Sequence, residues 1–472
     1  MSEQKSTQPP PQTYPTTNDR NEWKAHWNVH DQPWRTEPEI DTERQEYLAE
    51  RLGIIPDREQ GMYPFKNTKL SRADVEWLLA THEDGRGPVD WHDEKQRERE
   101  GLDLRGADLS KVNLSGLPLA RTYWGLFWYA RSNETEEHLE MAAAYLEGTD
   151  FRETHLEGSC FRGANLKKAN LSKAHLSQAE LSRTNLSSSN LREADMHKAI
   201  LIRAHLERSI LSRAHLEGAD LRGTHLEEAI LYKANVEEAD LRNAFFNIAT
   251  NLDGIVLNKG KDGCVHLAGV HWADVDLSVV NWSSVKVLGD EQKAHRPKTI
   301  DGEIKQRSAR VNEYRAAGHA NRQVAIILRD QGFNGSADYF AYRARILYRK
   351  ERWWQLRSGE LMPLIWIQLL VAWIFSLLID VLAGYGYKPE RTIFWYLVVI
   401  ASFATSYVII GHLLPLQALV FSLTSFHGRG FSPGGNMPLD NPLTMLAAVE
   451  AVVGLMIEIS LISTVTQKFF AK

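Results

Sequence analysis

The chain has 472 residues, with 55 Lys and Arg against 60 Asp and Glu and a net charge of −5. This length allows two or three domains, each with a substantial core. The near-neutral charge argues against a general nucleic-acid binder, which would be basic overall. Its 2 cysteines exclude a disulfide framework and fit a reducing compartment. Residues 1–22 are polar, without the apolar core of a signal peptide, so we expect a disordered tail and a cytoplasmic amino-terminal part.

Residues 23–100 contain five tryptophans and one clear helix signal. Ser71 stands three residues before Asp74, the pattern of a capping box, and predicts a helix over Ser71–Thr81. We interpret this region as a cap, because the end of a stacked coil is an exposed edge. A metal site in its polar loop is the alternative, and we favour a solvated loop. The candidate ligands would be His82, Glu83, Asp84, His92 and Asp93.

From Leu146 to Phe246 every fifth residue is large and apolar, and the residue two places earlier is always Ala, Ser or Thr. A period of five fits no α-helix, where five residues advance by about 500° and form no stripe. It fits no strand either, because successive apolar residues would alternate between faces. The pattern predicts a coil that turns a corner every five residues, with four sides per turn and the apolar positions inside.

Three segments of this run resemble the A(D/N)Lxx unit of pentapeptide-repeat proteins: Ala164-Asn165-Leu166, Ala219-Asp220-Leu221 and Ala239-Asp240-Leu241. The resemblance implies a right-handed quadrilateral β-helix over residues 101–288. It begins upstream at Leu104, is interrupted by an insertion over 120–145, and resumes in shifted register. The resumed core positions are Leu267, Trp272, Leu277, Trp282 and Val287. This repeat is specific for fold and says little about chemistry.

Histidines stand directly before several of the inward Leu positions, on the side that faces solvent. Metal binding by them is an alternative to plain exposure, but many residue types share this position, so we predict no metal and no cofactor. The histidines concerned are His155, His175, His205, His215 and His225. No Walker loop, zinc spacing or nucleophile elbow is present, so we expect neither catalytic residues nor an enzyme.

Residues 289–360 change to a basic character, with 16 Lys and Arg against 9 Asp and Glu over 286–360. Two helical patterns on either side of a Gly-Phe-Asn-Gly sequence predict a helical hairpin that serves as a linker. Its second helix ends in basic residues and the pair Trp353 and Trp354, next to an apolar segment, which is typical of a cytoplasmic membrane interface. A nucleic-acid patch would have a similar composition, but this position favours the membrane.

Three apolar stretches follow, at 363–383, 393–414 and 443–465, each long enough to cross about 30 Å of hydrocarbon. Between the last two, a short helix-forming stretch precedes a Gly-x-Gly turn and a loop rich in Gly and Pro. Non-helical backbone at membrane depth is tolerated only when it is buried in protein or lines water. A re-entrant loop at this place therefore implies a pore.

This order of segments over residues 391–472 resembles the pore module of the two-transmembrane potassium-channel-like superfamily. The resemblance implies four segments, namely an outer helix Ile393–Leu414, a pore helix Leu416–Thr424, a filter Ser425–Phe431 and an inner helix Leu443–Val465. It also implies four copies around one axis, so we predict a homotetramer in the lipid bilayer.

The predicted selectivity-filter residues depart from the potassium consensus Thr-Val-Gly-Tyr-Gly. They are Thr424, Ser425, Phe426, His427, Gly428, Arg429, Gly430 and Phe431. Phe426 replaces the coordinating Thr and Arg429 replaces Tyr, so potassium selectivity is not expected. A ring of buried Arg favours anions, and no acidic residue lies between Pro415 and Leu439. An inorganic anion is therefore the favoured permeant ion.

Three inner-helix residues, Glu450, Gly454 and Glu458, share roughly one helix face and are pore or gate candidates. Charges inside membrane helices are costly and usually functional. Arg429 could instead pair with Glu450 behind the filter. A cavity lined by Glu458 would favour cations, so a cation channel of the same architecture stays open.

The number of membrane crossings constrains how the first apolar stretch, 363–383, can lie in the membrane. If the repeat domain and the carboxyl terminus are both cytoplasmic, the number of spans must be even, and a re-entrant loop does not cross. We therefore predict that residues 361–390 form an interfacial amphipathic helix anchored by Trp366 and Trp373. A true third span would place the termini on opposite sides.

These patterns together predict a multidomain protein, a β-helix joined to an α-helical transmembrane tetrameric pore domain. The favoured function is a multi-pass ion channel of the plasma (inner) membrane that does not bind nucleic acid. One alternative is a membrane-anchored pentapeptide-repeat scaffold without transport. A soluble DNA-mimicking repeat protein is a second rival, which the apolar third of the chain argues against.

Overall fold

The computed structural model of the protein describes residues 14–17, 19–127, 135–258, 264–299, 302–358, 362–428 and 441–469. The chain divides into two compact units, Met1–Gly289 and Asp290–Lys472. The helices of the first unit are α1 Arg20–Val29, α2 Thr42–Leu52, α3 Arg72–Gly85 and α4 Glu136–Ala142. Those that follow are α5 Gly289–His295, α6 Arg307–Asp330, α7 Asn334–Leu356, α8 Pro363–Ala383, α9 Pro389–Gly411, α10 Pro415–Phe426 and α11 Pro442–Phe469.

The middle of the first unit is the predicted four-sided coil. Residues 20 apart form parallel bridges at every fifth position from Tyr145 to Phe245, as in Asp150↔Asn170 and His155↔His175. Each bridge is one residue long, so the described part of the coil contains bridges but no extended strands. The large apolar positions and the small residues two places before them both face inward, at 0–2% exposure from Leu146 to Phe246. The period-five interpretation is confirmed.

Each corner of the coil is a tight turn closed by one backbone hydrogen bond. In a typical corner, the Ala169 N–H donates to the Leu166 carbonyl at 3.0 Å, and the intervening Lys168 has φ 59°. The left-handed conformation costs a non-glycine residue on the order of 1 kcal/mol. The coil tolerates it at corner after corner because the neighbouring turns hold every corner in place through their ladder bonds.

Register shifts mark where the repeat is interrupted. Four bridges that span the insertion join residues 37 apart, as in Asp108↔Tyr145, so 17 residues are inserted into one 20-residue turn. Helix α4 lies in this insertion. Beyond residue 245 the core continues through Trp272 and Trp282 as predicted. The last predicted position, Val287, is only half-buried, and Val285 and Leu288 take the core places because a short 3₁₀ helix at Trp282–Ser284 ends the repeat.

The amino-terminal end of the coil is covered by the cap region. Ser71 and Asp74 form the predicted capping box at the start of α3, and regular helical dihedrals stop at His82. The Asn67 N–H bonds to the Gly106 carbonyl and the Leu70 N–H to the Asp108 carbonyl, both within 2.9 Å. The exposed backbone edge of the first turn is thus paired, as a stacked coil requires.

The second unit begins with the predicted helical hairpin. Helices α6 and α7 pack along their length, and Gly318 of α6 lies against the Tyr348 ring of α7. An ion pair joins Arg315 to Glu351 at 2.8 Å, and another joins Arg343 of α7 to Glu291 of α5 at 2.6 Å. The three helices that follow as Pro363–Gly386, Pro389–Gly411 and Pro442–Thr466 are long and apolar enough to cross a membrane.

Candidate functional site

The candidate site lies where the short helix α10 packs between α9 and α11. Pro415 at the first position of α10 provides a fixed φ that favours a helix start. Its 12 residues span about 18 Å, roughly half of a 30 Å hydrocarbon core. A helix of this length cannot cross a bilayer, so its direction relative to α9 decides what it does.

Two contact clusters show that α10 runs back along α9. The start of α10 lies at the end of α9 and the start of α11, in a cluster of Tyr407, Ala418, Phe421 and Leu443. The end of α10 lies at the middle of both long helices, in a cluster of Ile400, Phe426 and Ile457. Helix α10 therefore re-enters from one end of the helix pair and stops halfway along it.

Gly454 of α11 accommodates the end of α10. A Cβ atom added at Gly454 would lie 2.1 Å from the carbonyl oxygen of Phe426, closer than any side-chain atom can approach. The absence of a side chain at this position therefore sets the contact between the two helices. Gly454 was predicted as a pore or gate residue, and its contacts within the protomer are with α10.

Glu450 lies one turn before Gly454 and is fully buried among the three helices. Its carboxylate accepts a hydrogen bond from the Tyr407 hydroxyl of α9 at 2.7 Å and another from the Ser422 hydroxyl of α10. The Ile400 carbonyl, 3.0 Å from the same hydroxyl, is a second acceptor that shares its one proton. This network joins α9, α10 and α11, and sequence reasoning missed its two hydroxyl partners because they are remote in the chain.

Glu458 lies one turn beyond Gly454 and contacts the end of α10. Its carboxylate bonds to Nδ1 of His427, while Nε2 of the same imidazole lies 3.2 Å from the Tyr396 hydroxyl of α9. His427 is exposed, and the Glu458 side chain is one third exposed. The arrangement places a titratable polar group at the half-depth end of α10, open to the surroundings of the protomer.

The predicted filter residues divide between the helix and a segment outside the described residues. Thr424, Ser425 and Phe426 belong to the last turn of α10, and the latter two are buried. The Thr424 hydroxyl donates to the Val420 carbonyl at 3.0 Å. Gly428 follows with φ 67°. The remaining candidates, Arg429, Gly430 and Phe431, lie outside the described residues, so the filter stays a prediction.

Helix α8 packs against the basic helix α7. Asp380 of α8 forms an ion pair with Arg349 of α7 at 2.7 Å and accepts from the Tyr342 hydroxyl at 3.0 Å. Burial, reinforced by this bond to Asp380, raises the pKa of Tyr342. Nearer its start, Trp373 of α8 stacks on Trp353 of α7 with ring centroids 5.1 Å apart.

The other two predicted interface anchors have different surroundings. Trp354 lies under the guanidinium of Arg310, 4.4 Å from the ring centroid, and packs on the hairpin core. Trp366 is 41% exposed near the start of α8. Among the polar residues of α8, Ser376 and Asp380 are buried, whereas Gln368 is exposed.

Comparison with known proteins identifies the repeat. The family model described as pentapeptide repeats matches 8 copies over residues 140–167, 169–208 and 209–247. No curated protein matches the chain. The chain therefore carries a pentapeptide-repeat domain followed by helices that can embed in a membrane.

Solved structures similar to this chain include pentapeptide-repeat proteins. HetL, involved in heterocyst differentiation regulation in the cyanobacterium Nostoc sp. strain PCC 7120, is 19% identical, over 50% of this chain and 100% of that one, with a TM-score of 0.21. QnrB1, a plasmid-mediated fluoroquinolone resistance protein, is 15% identical, over 38% of this chain and 88% of that one, with a TM-score of 0.21. A pentapeptide repeat protein from the Arabidopsis thaliana thylakoid lumen is 30% identical, over 20% of this chain and 67% of that one, with a TM-score of 0.13.

Proposed function

We propose that the chain is one subunit of a homotetrameric ion channel of the plasma (inner) membrane, with the pentapeptide-repeat domain on the cytoplasmic side. The observation that carries the proposal is the course of α10, which re-enters between α9 and α11 and ends halfway along them. A purely anchoring segment has no need for a half-length helix. A pore does, because such a helix brings the chain to the membrane midplane and back.

A lone protomer would leave the end of α10 badly solvated in lipid. The last carbonyls of a helix have no partner within it, and each unsatisfied backbone group costs several kcal/mol in hydrocarbon. His427 and part of Glu458 are exposed on the protomer at the same depth. Several copies around a water-filled axis would shelter these groups.

One face of α10 offers a surface for such neighbours. Four apolar side chains spaced by three and four residues are exposed on the protomer, each by 44–74%. They are Leu416, Leu419, Val420 and Leu423. In a tetramer this stripe would pack against adjacent subunits, as the amphipathic pattern of a buried helix requires.

For the permeant ion we favour an anion. Both membrane carboxylates have hydrogen-bond partners inside the protomer, Glu450 with two hydroxyls and Glu458 with His427. The carboxyl end of α10 carries about half a negative charge, which favours cations. Arg429 follows it with a full positive charge, and a ring of four would outweigh the four helix ends.

The test is planar-bilayer recording of the purified full-length protein under a KCl gradient. The sign of the reversal potential identifies the charge of the permeant ion, and the absence of current would refute the channel. The variant Arg429→Gln should move the reversal potential towards the cation side. Its matched control is Arg391→Gln, which removes a charge at the start of α9, far along that helix from its contact with the end of α10.

The competing function is a membrane-anchored repeat scaffold without transport. It predicts monomers or weak dimers in detergent and no current in planar bilayers. It also predicts that the repeat domain binds a partner. The re-entrant packing of α10 favours the channel over this alternative, and mass measurement of the detergent-solubilised assembly separates the two before any electrical recording.

A further inference from the structure

The repeat coil and the cap loop bring together three side chains with metal-binding chemistry. His155 and Glu157 project from one side of the coil, and His92 lies in the loop between α3 and the first turn of the coil. The rings of His92 and His155 meet edge to face with centroids 6.2 Å apart. One ligand atom from each of His92, His155 and Glu157 lies within 4.8 Å of the others. Residues 63 positions apart in the chain thus converge on one point.

A glycine explains why the loop comes so close to the coil. Gly158 follows Glu157, and a Cβ atom added there would lie 2.8 Å from the Trp91 ring. The indole therefore packs directly on the glycine backbone, and the next residue, His92, is carried beside His155. The Arg97 side chain donates to the Trp91 carbonyl at 2.8 Å and braces this part of the loop.

Glu157 supplies a second observation that points to a ligand at this place. The residue is only 4% exposed, yet its Oε2 atom is buried without a hydrogen-bond partner among the described residues. Its Oε1 atom lies 3.1 Å from Nδ1 of His155. A buried carboxylate oxygen left without a partner destabilises the fold, and more strongly than a neutral group would, because the carboxylate is charged. A cation at this point would remove that cost.

We propose that His92, His155 and Glu157 form a binding site for a divalent transition metal of the zinc type, which fastens the cap loop to the repeat coil. Two His and one Glu are a ligand set that Zn²⁺ takes, with a fourth position left to water. Two ligands bound at about 2.1 Å can be at most about 4.2 Å apart, so the site closes with a small movement. His92 is exposed on its loop and can make that movement.

The coil contains three similar His-Leu-Glu triplets that lack part of this arrangement. In those starting at His205, His215 and His225, the imidazole also bonds to the following Glu. Oε2 of the Glu in each of them is likewise buried without a hydrogen-bond partner among the described residues, but their carboxylate side chains as a whole are more exposed, by 26–33%. Neighbouring turns do bring Glu207, His225 and Glu227 together, which makes this cluster the competing site. No metal site was predicted from the sequence, because the distance in the chain between His92 and His155 hides the convergence.

The experiment measures zinc and cobalt binding to the full-length protein in detergent, with any affinity tag removed. We expect one tightly bound Zn²⁺ per chain and a visible Co²⁺ absorption band from ligand-field transitions. Losing an outer-shell partner of a metal typically costs 10–100-fold in affinity. The variant His92→Ala, which loses a direct ligand, should therefore weaken binding by at least about 100-fold. Glu157→Gln should weaken it as well.

Three outcomes would overturn the proposal, and one matched variant controls for general effects. His215→Ala alters a triplet that belongs to neither of the two clusters and should leave the affinity unchanged. Unchanged affinity in His92→Ala, loss of the metal in His205→Ala or His225→Ala instead, or no stoichiometric binding at all would each refute the site. Because His92 is exposed, its variant should fold, so the result does not depend on the buried Glu157. Zn²⁺ should also slow tryptic cleavage at Lys95 and Arg97 in the original protein and not in His92→Ala.

Discussion

At the residue scale, Gly454 decides how closely the re-entrant helix approaches α11. Glycine in a helix interior costs about 1 kcal/mol relative to alanine, so propensity alone predicts that Gly454→Ala stabilises the protein. The 2.1 Å approach of the Phe426 carbonyl to the missing Cβ predicts the reverse. Whether Gly454→Ala raises or lowers the free energy of unfolding therefore shows whether α10 contacts α11 at Gly454.

We expect Gly454→Ala to destabilise the membrane unit by about 1–3 kcal/mol, the usual cost of overpacking. The measurement is unfolding in mixed detergent micelles. Ala448→Gly, at an exposed position of the same helix, measures the propensity effect alone. A stabilised Gly454→Ala protein would show that α10 does not lie on α11 as described.

Glu450 offers a second test at the same scale. Hydrogen bonds between side chains inside a membrane average about 0.6 kcal/mol, with a maximum near 1.7 kcal/mol. Tyr407→Phe and Ser422→Ala should each cost about that much, because each removes one donor to Glu450. Glu450→Ala should cost more than either variant, since it removes both bonds, leaves the Tyr407 hydroxyl without its acceptor and opens a cavity among the three helices. Equal costs for all three variants in micelle unfolding would contradict the network.

At the scale of elements, the repeat shows what a sequence can and cannot predict. A strict period of five allows one solution, so the four-sided coil and its inward positions were predictable from residues 146–246. The end of the coil was not, because Val287 satisfies the period while the 3₁₀ helix at Trp282–Ser284 breaks the turn geometry. The capping-box pattern of Ser71 and Asp74 similarly predicted the start of α3.

The membrane site was predictable in outline only. Hydropathy located α9 and α11, because bilayer thickness imposes their lengths, and the Gly-x-Gly turn marked the short helix α10 before it. The partners of Glu450 and Glu458 were not predictable. Tyr407, Ser422 and Tyr396 have no distinctive sequence pattern, and only the packing of the helices brings their hydroxyls to the site. Packing also explains why a glycine stands at position 454. Its contact with Phe426 cannot be predicted from any pattern in the sequence of α11.

Helix α8 is long enough to span a membrane, and its packing favours the interface instead. Its ion pair from Asp380 to Arg349 and the stack of Trp373 on Trp353 lay it along the basic helix α7. A spanning α8 would draw this charged stretch of α7 into hydrocarbon, where an Arg costs about 2.5–3.5 kcal/mol or more. We therefore expect both ends of α8 to lie on one side of the membrane.

The test is labelling of single cysteines with a membrane-impermeant maleimide in oriented vesicles. Met362→Cys and Glu390→Cys flank α8 and should react from the same side, which is that of Ile248→Cys in the repeat domain. His412→Cys, at the far end of α9, should react from the other side. Labelling of Met362→Cys and Glu390→Cys from opposite sides would show that α8 spans.

The labelling experiment rests on a further expectation, that the two native cysteines stay silent. Cys160 and Cys264 are both buried, and neither forms a disulfide. Burial raises the pKa of the Cys160 thiol to about 12, so hardly any reactive thiolate exists at neutral pH. The native protein should therefore take up no label until it is unfolded, as mass spectrometry of the intact chain can show. Rapid labelling of folded protein would contradict the packing around Cys160.

At the scale of the whole molecule, the two units have separate means of stability. The repeat unit buries its own ladder of apolar side chains, and its amino-terminal edge is paired with the cap through the Asn67 and Leu70 backbone. Repeat domains of this kind draw their stability from contacts between adjacent turns. The second unit has its own clusters around α6, α7 and α9–α11. Division of the chain at residues 289 and 290 should therefore leave two folded proteins.

We expect the fragment 1–289 to be soluble and to melt in one cooperative transition at the temperature of the repeat domain in the full chain. The fragment 290–472 should keep the oligomeric state of the full-length protein in detergent and conduct the same ion in planar bilayers. Equal conductance and reversal potential would assign permeation to the helices alone and leave gating or recruitment to the repeats. A fragment 290–472 that assembles and stays silent would show that the repeat domain is part of the conducting machinery, because loss of folding would be visible as loss of assembly.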